Sequence, residues 1–134
     1  MKKNYLLDTN ICIFLLKNQC GIREAVIKAK PSNCYVSEIT IAELYFGASK
    51  SNQKMERLKD VDFIVRKFKI LPIFPSLPIY ADIRAELEEK GKRLDDFDLL
   101  IGAAALHNKM TVVTDNTKHL GRIPNIQIEN WVNT

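Results

Sequence analysis

Two periods of apolar and polar residues alternate along this chain. Short, mostly apolar runs with β-favouring residues predict strands at Tyr5–Leu7, Cys34–Ser37, Ile70–Ile73, Thr111–Thr114 and, at an edge, Ile126–Ile128. Between them lie longer stretches with helical spacing. A helix is predicted from about Asn10, with Ile11, Phe14 and Leu15 on one face, and another over Ile22–Lys30, ended by Pro31-Ser32-Asn33. Helices follow from Thr40 to about Ser49 and over Lys54–Phe68, where Met55, Leu58, Val61, Val65 and Phe68 form an amphipathic stripe. A loop punctuated by Pro75 and Pro78 leads into Ile79–Lys90, with Ile79, Ile83 and Leu87 in register and Gly91 just past its end. Phe97–Leu106 is too long and Ala-rich for a strand and reads as a helix buried on most sides. Strands alternating with helices predict an α/β fold with a mainly parallel sheet of about four to five strands. Residues 1–134 fit one domain with its own core.

Composition narrows this only a little. The 46% hydrophobic and 27% charged content is ordinary for a soluble globular protein. Twenty Lys and Arg against 16 acids, a formal charge of +4, permit a polyanionic partner without requiring one. Cys12, Cys20 and Cys34 form no zinc pattern and read as reduced thiols, Cys12 and Cys34 in the core, in a reducing cytoplasm. Asp8 and Asn10 interrupt the apolar start, no cleavage site follows, and no run approaches the ~20 apolar residues of a membrane helix. A cytoplasmic protein without membrane contact is expected.

Four acids change the picture. Asp8 and Asp115 each follow a predicted strand, and each is followed within two residues by an Asn, Asn10 or Asn116. Open parallel sheets build their sites in the crevice outside the carboxyl ends of the strands. Singly, the acids have ordinary explanations. Asp8, Thr9 and Asn10 sit where helix caps sit. Thr40-Ile41-Ala42-Glu43 fits a capping box with Glu43 reaching back to the cap amide. Asp115-Asn116 suits a turn. Asp98 resists, because Asp95 or Asp96 is the better cap and Asp98 lies further in, between Phe97 and Leu99. Carboxylates ~4 Å apart repel by roughly 4 kcal/mol at an effective dielectric of ~20. A cluster of four therefore implies shared protons or a bound cation. Oxygen ligands without His or Cys select Mg²⁺ or Mn²⁺, whose bound water suits phosphodiester hydrolysis.

Together, Tyr5-Leu6-Leu7-Asp8-Thr9-Asn10, Ser37–Leu44 with Gly47, Asp98–Leu106 and Val113-Thr114-Asp115-Asn116 resemble the four acidic motifs of the PIN domain. The resemblance runs through the ending Ile123–Trp131 and is strongest to the VapC-type toxins of bacterial toxin–antitoxin modules. It implies a PIN-like, Rossmann-like α/β/α sandwich and a Mg²⁺- or Mn²⁺-dependent endoribonuclease acting on RNA, with tRNA among the candidates. It also implies a homodimer and a hetero-oligomer with a silencing VapB antitoxin. By position, Asp8, Glu43, Asp98 and Asp115 would be the catalytic, metal-holding acids, and Thr9, Thr114 and Asn116 would orient them or their water. Two departures stand out. Gly102 replaces a usual Ala, and position 115, often Asn in such toxins, keeps its acid, which sets Asp115 apart from the other three.

Other features carry less. Lys90, Lys92 and Arg93 precede the Asp98 motif and are candidate RNA contacts. Tyr45 and Phe46 read as core or dimer packing, with base stacking or an antitoxin groove as the rival. His107 and His119 have no dyad spacing, and Glu86–Lys90 and Arg84–Glu88 are surface pairs. The competing function is a regulatory PIN protein that binds nucleic acid with weak or no nuclease activity. A receiver domain fails because the third strand ends in Ile73-Phe74-Pro75. An Asp-x-Asp phosphatase fails because Asn10 stands where its second acid belongs.

Overall fold

The computed structural model describes residues 2–133. The described elements run β1 (Tyr5–Leu7), α1 (Thr9–Leu16), α2 (Ile22–Ala29), β2 (Cys34–Ser37), α3 (Glu38–Ser49), α4 (Lys54–Lys67), β3 (Lys69–Leu71), α5 (Leu77–Glu89), α6 (Asp96–His107), β4 (Thr111–Val113), α7 (Thr117–Leu120) and β5 (Ile128–Glu129). The five strands form one sheet in the order β3-β2-β1-β4-β5, every neighbouring pair parallel. The α/β prediction with a parallel sheet therefore holds.

Alternation along each strand divides the core in two. Leu6 and Val112 point into a layer with Leu87, Leu99, Ile101 and Leu120, against α5, α6 and α7. Leu7, Val36 and Val113 point the other way, onto Ile11, Leu15, Val26 and Ile64 of α1, α2 and α4. Each fully buried Leu or Ile contributes about 1.5–3 kcal/mol relative to exposure, so the sheet is clamped from both faces. Helix α6 is buried all along Leu99–Ala105 except Leu100, as its composition predicts. Gly102 is part of that packing, because a Cβ there would lie 2.3 Å from the Ile123 Cδ1.

Several boundaries differ from the sequence reading. Helix α3 begins at Glu38, with Ser37 as its N-cap accepting the Ile39 amide at 3.0 Å. The Thr40–Glu43 capping box therefore does not exist, because Glu43 lies in the second turn. In α4, Val61 and Ile64 are buried, with Phe68 just past the helix end, while Met55 (70% exposed) and Val65 face solvent. Strand β3 stops at Leu71. A short 3₁₀ turn at Phe74–Ser76 then leads into α5, which takes Pro78 into its first turn, where a missing N–H costs nothing. The edge strand lies at Ile128–Glu129 rather than Ile126–Ile128. Tyr45 and Phe46 are exposed, which removes the core reading for both. Cys12 and Cys34 are buried free thiols, as expected.

Candidate active site

Strand β1 is central, with β2 on one side and β4 on the other, so connections leave it in opposite directions. The crevice outside such a switch point is where this architecture places its sites. Asp8 is the first residue past β1 and the N-cap of α1. Its Oδ1 accepts the Thr9 amide at 2.8 Å, and its Oδ2 accepts the Thr114 hydroxyl at 2.8 Å. Asp8 is only 5% exposed. The cap reading and the site reading thus describe the same side chain.

A hydroxyl relay holds Glu43. The Thr9 hydroxyl donates to Glu43 Oε1 at 2.7 Å and lies 2.9 Å from the Thr40 hydroxyl. Thr9 has one proton to give, so Thr40 must be the donor to Thr9. Thr40, fully buried, was read in the sequence as a cap, and that reading hid its place in this chain. Asp98 stands in the first turn of α6, behind the Asp95 cap whose carboxylate accepts the Phe97 amide at 3.2 Å.

Charge links these groups. Burial, then the negative charges of Asp8, Asp95 and Glu43, push the Asp98 carboxyl up to about 6. Burial raises Asp8 as well, against the hydrogen bonds from Thr114 and Thr9. Glu43 is raised by burial and by Asp8 and Asp95, against the bond from Thr9. Among the described residues, none of Asp8, Glu43, Asp98 or Asp115 has a Lys, Arg or His ion-pair partner. The result is a loose group of carboxylates at the switch point whose negative charge no basic side chain offsets.

Asp115 is more loosely attached. It is exposed; its backbone N–H donates to Asn10 Oδ1 at 3.4 Å, and its Oδ1 accepts from Asn130 Nδ2 at 3.1 Å. Asn10 was read from sequence only as a cap candidate and Asn130 was given no role, although Asn10 stands in the first motif. Thr114 is buried and also accepts the Asn116 amide at 2.9 Å. The Asn116 side chain meets His119 Nδ1 at 2.6 Å rather than an acid. Lys90, Lys92 and Arg93 are exposed just before α6, and Arg122 docks on the same loop through the Arg93 carbonyl at 2.9 Å. Among the described residues, no three acidic side chains converge closely enough to enclose an ion by themselves.

The PIN domain family matches residues 5–125. The chain is 35% identical over 130 residues to the ribonuclease VapC2 of Rickettsia felis, covering 95% of this chain and 97% of that protein. It is 34% identical over 128 residues to the tRNA(fMet)-specific endonuclease VapC of Salmonella typhimurium, with 95% and 97% covered. Among solved structures, DNA-bound VapBC from Salmonella typhimurium superposes with a TM-score of 0.89 at 35% identity, covering 96% of this chain and 98% of that one. VapBC2 from Rickettsia felis, bound to a DNA fragment from its promoter, gives 0.87 at 34% identity, with 95% and 98% covered. The chain belongs to the PIN-domain family. Within that family its relatives are of the VapC type, matched over nearly their whole length.

Proposed function

We propose that this chain is an endoribonuclease that works with Mg²⁺ or Mn²⁺ held by Asp8, Glu43, Asp98 and Asp115. The observation that carries the reading is the set of acids at the switch point without basic partners, where burial raises Asp8, and burial with the charge of neighbouring acids raises Glu43 and Asp98. An all-oxygen donor set suits these cations. Mg²⁺ keeps several waters and needs only one or two direct carboxylates, so acids that do not converge on one point still fit it. When bound, the ion supplies a water of lowered pKa and neutralises charge on the phosphate.

The chain's own residues then have defined work. Thr114 and the Thr9 amide fix both Asp8 oxygens in place, leaving each with a free lone pair. The Thr40–Thr9 relay engages Glu43 Oε1 and leaves Oε2 to accept from a water. Lys90, Lys92, Arg93 and Arg122 line the approach to α6 and supply phosphate contacts. The products are expected to carry 5′-phosphate and 3′-hydroxyl ends. Transfer RNA is the first substrate to try, because a relative with 34% identity is named for it.

The partner reading follows the same relatives. A VapB-type antitoxin restrains the enzyme in a hetero-oligomer, and a homodimer covers part of the exposed apolar surface that includes Tyr45 and Phe46. No described helix is long and apolar enough to cross a membrane, and a role in cutting RNA fits a cytoplasmic protein. The test is cleavage of structured RNA in Mg²⁺ or Mn²⁺, with and without chelator. Wild type should cut, and the Asp8→Ala, Asp98→Ala double variant should not. If the double variant cuts equally well, the enzyme reading fails. Metal binding without cleavage of any RNA would favour the regulatory alternative.

A further inference from the structure

Next to the acids, α1, α3 and α4 line an open cavity of about 400 Å³, within the size range of small-ligand sites. Thr9 and Glu43, both members of the acidic site, belong to its lining. Leu16, Leu44, Ala48 and Val61 make much of the rest apolar. Helix α4 adds one cation and one anion: the Arg57 Nε lies 3.0 Å from the Asp60 carboxylate. That contact is an ion pair without an aligned hydrogen bond, so the Arg57 Nε is out of solvent and unsatisfied. Lys17, at the end of α1, also lines the cavity and has no ion-pair partner among the described residues. At Gly47 a Cβ would meet nothing within 4 Å, so α3 leaves a gap there.

We propose that this cavity is a subsite for a nucleobase of the RNA, one nucleotide from the cleaved phosphodiester. The proposal rests on the nuclease reading above. A strand whose phosphate lies at Thr9 and Glu43 must carry a neighbouring nucleoside past the cavity that those two residues line. Apolar walls accept the faces of an unstacked base, and polar groups at such a wall read its edge. The Arg57 guanidinium offers donors and the Asp60 carboxylate offers acceptors, the two kinds of group that a base edge answers. Lys17 complements the next phosphate. Charge therefore matches a nucleotide: apolar where the base lies, cationic where the backbone leaves.

Gly47 supplies the test. Gly47→Leu places a side chain in the open gap and replaces a poor helix former with a good one, so the variant should fold. As the control, Gly47→Ala improves the helix in the same way with far less bulk, so the pair separates helix propensity from filling of the gap. Wild type, the control and the plugged variant would be assayed on a cleaved oligoribonucleotide and on copies with one abasic residue either side of the cut. Wild type should lose about tenfold or more in kcat/KM at one abasic position. The plugged variant should cut the intact RNA about tenfold more slowly and no longer distinguish it from that abasic copy, while Gly47→Ala, with only a methyl in the gap, should lose less and still discriminate. A 2-aminopurine at the same position, followed in chelator, should change its fluorescence on binding wild type but not Gly47→Leu. Cleavage by wild type without base discrimination, or a plugged variant with wild-type kinetics, overturns the subsite and leaves the nuclease reading standing. Fluorescence change without any cleavage overturns the nuclease reading instead. If plugging weakens only the binding of a co-expressed antitoxin, the cavity belongs to a protein partner and the proposal falls.

Discussion

Asp8 and Asp115 follow neighbouring parallel strands with similar local sequence, yet the fold treats them differently. Asp8 is nearly inaccessible, with both carboxylate oxygens engaged. Asp115 is exposed and tethered by two amide side chains. The strand register explains the difference. Leu7 pairs with Val113, so the residue level with Asp8 is Thr114, and these two hydrogen-bond directly. Asp115 comes one step later, beyond the sheet. One residue of offset turns a buried, pre-oriented acid into a peripheral one. Equivalent motifs at strand ends therefore need not be equivalent ligands.

The sharpest way to break this comparison is to remove each acid in turn. Asp8→Ala should slow RNA cleavage by about a thousandfold, several kcal/mol of transition-state stabilisation. Asp115→Ala should cost only about ten- to a hundredfold. Equal losses in single-turnover assays would mean that the burial difference has no catalytic weight. Thr114→Val tests the register argument. It leaves Asp8 short of a buried donor and should destabilise the fold by about 1–2 kcal/mol in urea melts at neutral pH. A wild-type midpoint would show that the hydroxyl is dispensable.

Asp98 gives a pH-dependent test. Its carboxyl titrates near 6 in the folded chain, above the usual 3.8, so folding favours the protonated form. That contribution is fully present below about pH 4 and is lost as pH rises through 6, leaving the metal-free protein less stable at pH 7.5. The displacement is worth at most ~3 kcal/mol, and solvent screening of a half-exposed side chain reduces it to about 1 kcal/mol. Asp98→Asn should raise the melting temperature in chelator at pH 7.5 by a few degrees, ~1 kcal/mol, and abolish cleavage. No gain at pH 7.5 relative to pH 5 would sink the charge argument. Asn130→Ala should have the smallest effect: within ~0.5 kcal/mol in stability for an exposed bond, and a few-fold in rate if Asp115 drifts.

How much of this could be read from the chain depends on the residue. The strands at Tyr5–Leu7 and Cys34–Ser37 and the buried α6 are local patterns, and local patterns were enough to find them and to narrow the α6 cap to Asp95 or Asp96. In the segment Ser37–Glu43 the sequence pointed to Thr40 as the cap, whereas Ser37 holds that position. Ser37 pairs with Leu71 as the last residue of β2 and α3 starts directly after it, and that pairing lies far away in sequence. Met55 and Val65 fit an amphipathic stripe equally well, but only a narrower face of α4 reaches the core, through Val61 and Ile64. Thr40 and Asn130 owe their places in the site to partners 31 and 15 residues away. No spacing rule reaches those distances.

The hydrogen bond between Thr114 and Asp8 spans 106 positions of the chain. It joins the first strand to the fourth, and long-range parallel pairing is the slow part of forming such sheets. A chain with only its local helices formed would hold Asp8, Glu43 and Asp98 as unrelated side chains. Chemical competence and completed folding should therefore arrive in one step, so that nuclease activity during refolding rises with the final phase and never before it.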